Sequence, residues 1–99
     1  MLYTVNNSTL TTNDLNSLLL ISPSGSPILL YEDGVYSAAA GTRHADKVKT
    51  ALQSHPIYAL EADLAARGIK NLIEGIQVIN YDGFVELVEQ HNVVPWLRS

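Results

Sequence analysis

The chain has 99 residues, 46% hydrophobic and 16% charged, which fits a single globular domain over residues 1–99 and excludes a disordered chain. Its net charge is -4, and its six Lys and Arg residues are too few for the dense basic face that neutralises phosphates, so we expect no direct nucleic-acid binding. It contains no cysteine, which excludes disulfides, thiolate metal ligands and thiol nucleophiles.

The first stretch of the chain predicts a short strand followed by a helix. Residues 1–5 (MLYTV) are β-prone and end in a polar turn, which indicates the first strand. Thr11 or Thr12 can cap a helix of regularly spaced leucines, which should end before the loop at residues 22–27 (SPSGSP). The opening lacks the pattern of a signal peptide, and no stretch approaches the roughly 18 apolar residues that span a bilayer. We therefore expect a cytoplasmic protein without membrane contact.

The middle of the chain predicts a buried strand and two helices. Residues 28–31 (ILLY) form a continuous apolar run, as in a parallel strand that is buried on both faces. Residues 32–34 (EDG) should close this strand, and residues 35–40 should form a short helix of small residues. The helix that follows has an apolar face made of Ala45, Val48 and Leu52.

The third strand should cover residues 57–60 (IYAL) and lead directly into a short helix over residues 61–67. Gly68 follows this helix and can provide its left-handed cap. Asp63 and Arg67 are four residues apart with the acid first, which favours an ion pair on the helix surface.

The last part of the chain predicts a strand, a helix and an edge strand. Residues 76–80 (IQVIN) form the fourth strand, and Asp82 can cap the helix that follows. The inner stripe of this helix is expected to comprise Phe84, Leu87, Val88 and His91. The apolar tail at residues 93–97 can add an edge strand, where Pro95 is tolerated.

Strands and helices therefore alternate along the whole chain. This alternation predicts an α/β fold: a small three-layer, flavodoxin-like domain with a mostly parallel sheet of four to five strands and helices on both faces. The order of elements does not imply a bound nucleotide, because the chain has none of the glycine-rich motifs that cradle phosphates. We accordingly predict no cofactor.

Carboxylates gather where the predicted strands end. Ligands of open α/β sheets bind beyond the carboxyl ends of the strands, so these side chains are candidates for a site. Carboxylates there can cap helices and form turns, or they can supply hard oxygen ligands to a divalent cation. No spacing matches a known cation loop, so no metal ligand is assigned. The carboxylates are Glu32, Asp33, Glu61, Asp63 and Asp82.

No residue shows the pattern of a catalytic group. The three histidines are far apart, with His55 in a turn before Pro56, and none has the spacing of a metal pair. No serine lies in a nucleophile elbow, and Ser26 is expected in a flexible loop. An enzyme with its own catalytic site is therefore disfavoured, because no pair of nucleophile and base can be named.

Aromatic side chains are the best candidates for a subunit interface. Trp96 either covers an edge of the core or anchors an interface, since Trp and Tyr are enriched in such contacts. Tyr36 and Tyr58 are the other two interface candidates.

Several blocks, in order and nearly end to end, resemble the TusB/DsrH family. They are residues 2–6 (LYTVN), 28–35 (ILLYEDGV), 58–68 (YALEADLAARG) and 80–85 (NYDGFV), followed by Trp96. Tyr3 stands where the family's opening often has histidine. The residues that carry the family motifs are Glu32, Asp33, Gly34, Asp63, Arg67, Gly68, Asp82 and Phe84.

The resemblance implies a subunit of a sulfurtransferase complex, in which two related DsrE/DsrF-like (TusD/TusC-like) subunits complete a heterohexamer. It implies a role in 2-thiolation of the tRNA wobble uridine, with dissimilatory sulfur oxidation as the alternative. In both settings a partner subunit carries a persulfide on a cysteine, and the matching position here is near Leu60. We therefore expect a subunit that shapes or regulates the complex without relaying sulfur, and we expect Leu60 to belong to the core.

Two other interpretations stay open. The chain could be a free-standing α/β domain that binds a small ligand or a cation at its acidic strand ends. The isolated chain could also pair with itself, since apolar surface meant for a partner can drive self-association.

Overall fold

The computed structural model describes residues 2–5, 25–42 and 45–96. Within these residues five strands form one sheet in the order β4-β3-β2-β1-β5, and every neighbouring pair is parallel. The predicted α/β fold with a parallel sheet is confirmed. The elements are β1 (Leu2–Val5), β2 (Ile28–Leu30), a 3-10 helix (Glu32–Ala38), α1 (Ala45–Leu52), β3 (Ile57–Leu60), α2 (Glu61–Ala66), β4 (Gln77–Ile79), α3 (Tyr81–Gln90) and β5 (Val93–Trp96).

The two strands β1 and β2 are buried along their whole length. Successive side chains of a strand point to opposite faces of the sheet, so Leu2 and Leu29 lie on one face and Val5 and Leu30 on the other. All four are at most 3% exposed. Burial on both faces explains why the ILLY stretch is continuously apolar rather than alternating.

The main core lies on the face of the sheet that carries Val5 and Leu30. There Val35 of the 3-10 helix, Val48 of α1 and Leu64 of α2 join the strand residues in one cluster of buried side chains. Ala45 and Leu52 pack against the same cluster, so the predicted apolar face of α1 is confirmed.

Helix α3 connects the two edges of the sheet. The strands β1 to β4 follow one another across the sheet, and the chain then returns through α3 to β5, on the far side of β1. Because parallel crossovers are right-handed, this reversed direction places α3 on the face opposite α1 and α2. The tail forms an edge strand, as predicted, and Pro95 lies in that edge strand.

Two predicted boundaries are wrong near β2. The strand ends at Leu30, and the helix expected from residue 35 begins at Glu32 as a 3-10 helix. The acidic residues expected to close the strand therefore form the first turn of the helix. The Gly34 amide donates to the Tyr31 carbonyl at 2.9 Å, which starts the helical turn earlier than the small-residue pattern indicates.

Three predictions about α3 and the fourth strand need correction. β4 covers only Gln77–Ile79. The cap of α3 is Asn80 rather than Asp82: the Asn80 side chain accepts a hydrogen bond from the Gly83 amide at 2.9 Å. Val88 is 38% exposed and does not belong to the inner stripe.

Leu60 also differs from expectation, whereas Ser26 and His55 lie in the predicted loop and turn but are buried. The Ser26 carbonyl accepts a hydrogen bond from Nδ1 of His55 at 2.8 Å. His55 is itself buried, and its hydrogen bond joins the segment before β2 to the segment before β3. Leu60 is half-buried at the end of β3 rather than enclosed in the core.

The predicted helix after Thr11 and Thr12 lies outside the described residues. Among the helices that are described, none combines the length and the hydropathy needed to cross a membrane.

Candidate functional site

The carboxyl ends of β2 and β3 bring four of the predicted site residues into one charged cluster: Glu32, Asp33, Asp63 and Arg67. Glu32 and Asp33 begin the 3-10 helix after β2, and Asp63 and Arg67 come from α2 and its cap after β3. The two strands are parallel neighbours, so they end at the same edge of the sheet. Residues more than thirty positions apart are thus placed side by side.

Arg67 is the centre of this charged cluster. Its Nε donates to Oδ1 of Asp33 at 3.0 Å, and its Nη2 lies 2.8 Å from the same oxygen. Its Nη1 lies 3.6 Å from Oδ1 of Asp63 and donates to the Asp63 carbonyl at 3.3 Å. The predicted pair between Asp63 and Arg67 is confirmed, but the shorter ion pair is the one with Asp33, which the sequence spacing did not indicate.

A backbone hydrogen bond completes the charged cluster. The Glu32 amide donates to Oδ2 of Asp63 at 2.7 Å, a short, charge-assisted bond. Glu32 has a φ of 49°, in the left-handed region that side chains with a Cβ rarely adopt. The Asp63 carboxylate therefore holds the start of the 3-10 helix in a strained conformation, of the kind that often occurs at functional sites.

The end of α2 fixes the position of Arg67. Gly68 has a φ of 67° and its amide donates to the Ala65 carbonyl, while the Ile69 amide donates to the Leu64 carbonyl. These two bonds are the Schellman arrangement, and Leu64 and Ile69 both pack against the core beneath it. The predicted left-handed cap at Gly68 is confirmed.

Electrostatics favour the charged form of Arg67 throughout the usual pH range. The hydrogen bond to Asp33 raises the pKa of Arg67, partial burial lowers it, and the nearby Asp33, Asp63 and Tyr36 raise it further. The three carboxylates of the charged cluster outnumber its one guanidinium, so the surface stays acidic.

Two carboxylates of the charged cluster are engaged by the cluster's own arginine. Asp33 and Asp63 are occupied by Arg67, and the described residues contain no group of three or more His, Cys, Asp or Glu side chains that could hold a metal ion. Leu60, at the start of α2, offers no nucleophile. Tyr36 is 43% exposed on the 3-10 helix and presents an aromatic surface close to Arg67.

Other predicted site residues lie elsewhere. Tyr58 is half-buried in β3, one position before Ala59, and so on the opposite face of the sheet from the main core. Trp96 ends β5 at the sheet edge with its backbone paired to Val5, and its side chain lies outside what the structure describes. Asp82 and Phe84 lie in α3, where the Phe84 ring stacks on Tyr81.

Two surface features were missed by the sequence analysis. One is a shallow groove of about 410 Å³ between α2 and the edge strand β4, lined by Glu61, Leu64, Ala65, Gly68, Ile69, Lys70, Leu72 and Val78. The other is a stripe of exposed apolar residues on α3. The repeat of acidic residues along α3 is the sequence signal that could have revealed the stripe, because it marks which side of the helix faces water.

Sequence comparison matches the chain to one protein family. The family model for DsrH like protein matches residues 7–94. The protein TusB of Serratia proteamaculans is 42% identical over 92 residues, covering 92% of this chain and 94% of that protein. The protein TusB of Escherichia coli K12 is 37% identical over 92 residues, with the same coverage of both chains.

Solved structures share the fold. A protein of unknown function from Methanobacterium thermoautotrophicum superimposes with a TM-score of 0.73 at 17% identity, covering 95% of this chain and 96% of that one. A protein from Thermotoga maritima, determined by solution NMR, gives a TM-score of 0.62 at 21% identity, with 92% and 94% covered. Both identities are low, so these likenesses bear on the fold alone.

Proposed function

Because the chain belongs to the DsrH-like family and has TusB proteins among its relatives, we propose that it is a non-catalytic subunit of a sulfur-relay complex. The complex serves 2-thiolation of the tRNA wobble uridine in the cytoplasm. Two related subunits, of the DsrE and DsrF type, complete the heterohexamer and carry the sulfur.

The observation that supports this proposal is the residue at the end of β3. The family resemblance implies that a related subunit carries a persulfide cysteine just after its third strand, upstream of a helix that ends in Arg-Gly. Here Leu60 ends β3, α2 follows, and Arg67 and Gly68 close the helix. A leucine side chain cannot bond to sulfane sulfur, and no cysteine occurs elsewhere in the 99 residues.

The site has no reactive thiol, and it is held together by contacts between its two strand ends. Arg67 bridges these strand ends, and the Asp63 carboxylate shapes the start of the 3-10 helix. A rigid, charged surface with the exposed Tyr36 beside it resembles the polar rim of a protein interface, with an aromatic anchor. This supports a subunit that positions its partners.

Co-purification tests the complex. The tagged chain is co-expressed with the related subunits encoded beside it, and the mass of the eluted material is measured by light scattering. We expect a stoichiometric hetero-oligomer. A chain that elutes alone, under conditions in which the related subunits are soluble, would contradict the proposal.

Sulfur tracking tests the non-catalytic role. The purified complex is treated with a persulfide donor, and each subunit is weighed by mass spectrometry. We expect one added sulfur on a partner and none on this chain. Leu60→Ser in this chain should leave sulfur transfer within about twofold of wild type, whereas Cys→Ser at the partner's labelled site should abolish it. Loss of transfer in the Leu60→Ser complex, with its mass unchanged, would contradict the non-catalytic role.

The physiological setting needs its own measurement. Deleting the gene for this chain should remove 2-thiouridine from the wobble position of the affected tRNAs, as read by mass spectrometry of digested tRNA. Normal thiouridine together with impaired oxidation of stored sulfur would instead favour the sulfur-oxidation setting.

A further inference from the structure

Helix α3 presents an apolar stripe to solvent. Tyr81, Val85 and Val88 follow the i, i+4, i+7 spacing that aligns side chains on one side of a helix. Their exposed fractions are 63%, 40% and 38%. The Tyr81 ring also stacks on Phe84, with ring centroids 5.7 Å apart and an angle of 22° between the planes.

An acidic stripe runs directly beside the apolar one. Asp82, Glu86 and Glu89 each follow a residue of the apolar stripe by one position, and all three are exposed. Helix α3 contains no Lys or Arg that could neutralise them. The two stripes together make a surface that is apolar along one side and negatively charged along the other.

The side chains through which α3 packs on its own sheet are not those of the two stripes. Phe84 and Leu87 are half-buried on the third side of the helix, and none of the helix's ten residues is buried. His91, predicted as part of the inner stripe, follows the last residue of α3 with an extended backbone. A helix that crosses a whole sheet normally buries one apolar stripe and exposes polar residues elsewhere. Here α3 carries a second apolar stripe beyond the one that faces its own sheet.

We propose that the surface formed by Tyr81, Val85, Val88 and the acidic stripe is the docking site for another subunit of the relay complex. The matching surface on that subunit is an apolar strip bordered by Lys or Arg. This inference rests on the proposed function, because it names the surface through which this chain joins its partners. The charged cluster at the ends of β2 and β3 lies elsewhere and remains available for a second contact.

Charge repulsion disfavours a second copy of this chain as the occupant of this surface. Pairing two copies through α3 would place three carboxylates from each helix, six in all, at one interface with no basic residue on either helix. Like charges brought together disfavour such an interface, whereas a basic border on the partner turns the same carboxylates into attractive contacts. The net charge of -4 on each copy acts in the same direction.

The test compares two equally exposed valines. Val85→Lys places a positive charge in the apolar stripe, opposite the apolar strip expected on the partner. Val78→Lys is the matched control, because Val78 is 44% exposed on the edge strand β4, where it lines the groove, and does not belong to α3. A lysine on an edge strand is well tolerated. Both variants should keep the thermal midpoint of the isolated chain within about 3 °C, as expected for exposed positions.

Affinity for the purified partner subunits is then measured by titration calorimetry. Val85→Lys should weaken binding by about 30-fold or more, as for a central interface residue, and Val78→Lys by less than about threefold. Charge reversal at Glu86 and Glu89 together should weaken binding by about 10-fold and reverse the salt dependence.

The outcomes separate this inference from the proposed function. If wild-type chain binds no related subunit, the proposed function fails and the docking surface fails with it. If wild type binds and Val85→Lys binds equally well, only the docking surface is overturned. Loss of binding in Val78→Lys alone would assign the interface to the groove beside β4. A change from dimer to monomer in isolated Val85→Lys, with partner binding intact, would assign the stripe to a second copy of this chain.

Discussion

Glu32 offers a direct test of strain in the charged cluster. Among the described residues it is the only non-glycine residue with a positive φ, 49°. Its side chain is exposed, and the hydrogen bond to Asp63 comes from its backbone amide, which every residue except proline retains. Replacing it with glycine therefore removes the steric conflict of the Cβ atom while keeping the bond that shapes the site.

The expected gain can be worked out from two opposing effects. An L-residue in the left-handed region is strained by about 1–2 kcal/mol, and glycine removes that strain. Glycine also increases the freedom of the unfolded chain, which lowers stability by roughly 0.5–1 kcal/mol. Glu32→Gly should therefore raise the free energy of unfolding by up to about 1.5 kcal/mol, with a central value of about 0.75 kcal/mol, which corresponds to roughly 3–6 °C in the thermal midpoint of a domain of this size.

Urea unfolding of three variants measures this effect and controls for it. Glu32→Ala removes the side chain but keeps the strain, so its stability should match wild type within about 0.5 kcal/mol. Asp33→Gly adds a glycine at the next position, where φ is not positive, and also removes the ion pair to Arg67; it should be destabilising. If Glu32→Gly is no more stable than Glu32→Ala, the strain inferred from the backbone angle does not exist in solution.

Three other predictions concern the caps and anchors around the site, all read by urea unfolding. Gly68→Ala should lower stability by about 1–2 kcal/mol, because its φ is 67°, and Gly68→Asn by about half as much; equal stability of wild type and Gly68→Ala would contradict the Schellman cap. His55→Ala should cost about 2–4 kcal/mol, since it removes a buried side chain and its 2.8 Å bond to the Ser26 carbonyl; a loss below about 1 kcal/mol would argue against this anchor. Asn80→Ala should cost about 1 kcal/mol and Asp82→Ala about 0.5 kcal/mol or less, and the reverse order would restore Asp82 as the cap of α3.

The sequence correctly predicted the features that depend on the local pattern of apolar residues and glycine. The apolar run of β2 predicted a parallel strand covered on both faces, and the spacing of Val48 and its neighbours predicted the core face of α1. The left-handed cap at Gly68 was equally predictable, because glycine is the residue that most readily adopts a positive φ at the end of a helix. These features depend on local chemistry that the sequence displays directly.

The remaining features depend on contacts between distant segments. The ion pair between Asp33 and Arg67 joins residues 34 positions apart, so no spacing rule could indicate it. Glu32 adopts its left-handed conformation because a carboxylate from another helix holds its amide. Val88 was wrongly assigned to the inner stripe of α3 because this helix has two apolar stripes. The helical spacing of apolar residues does not distinguish the stripe that faces the sheet from the stripe that faces solvent.

The position of β1 between β2 and β5 has a consequence for synthesis on the ribosome. Val5 pairs with Leu30 on one side and with Trp96 on the other, so the two neighbours of β1 come from opposite parts of the described chain. Closing so long a loop makes the pairing with β5 a late step. Until residues 93–96 emerge, one side of β1 exposes unpaired backbone groups, the kind of edge at which aggregation begins. In a nascent chain that stalls before residue 93, β1 is therefore an exposed edge strand, although it is fully buried once β5 has paired with it.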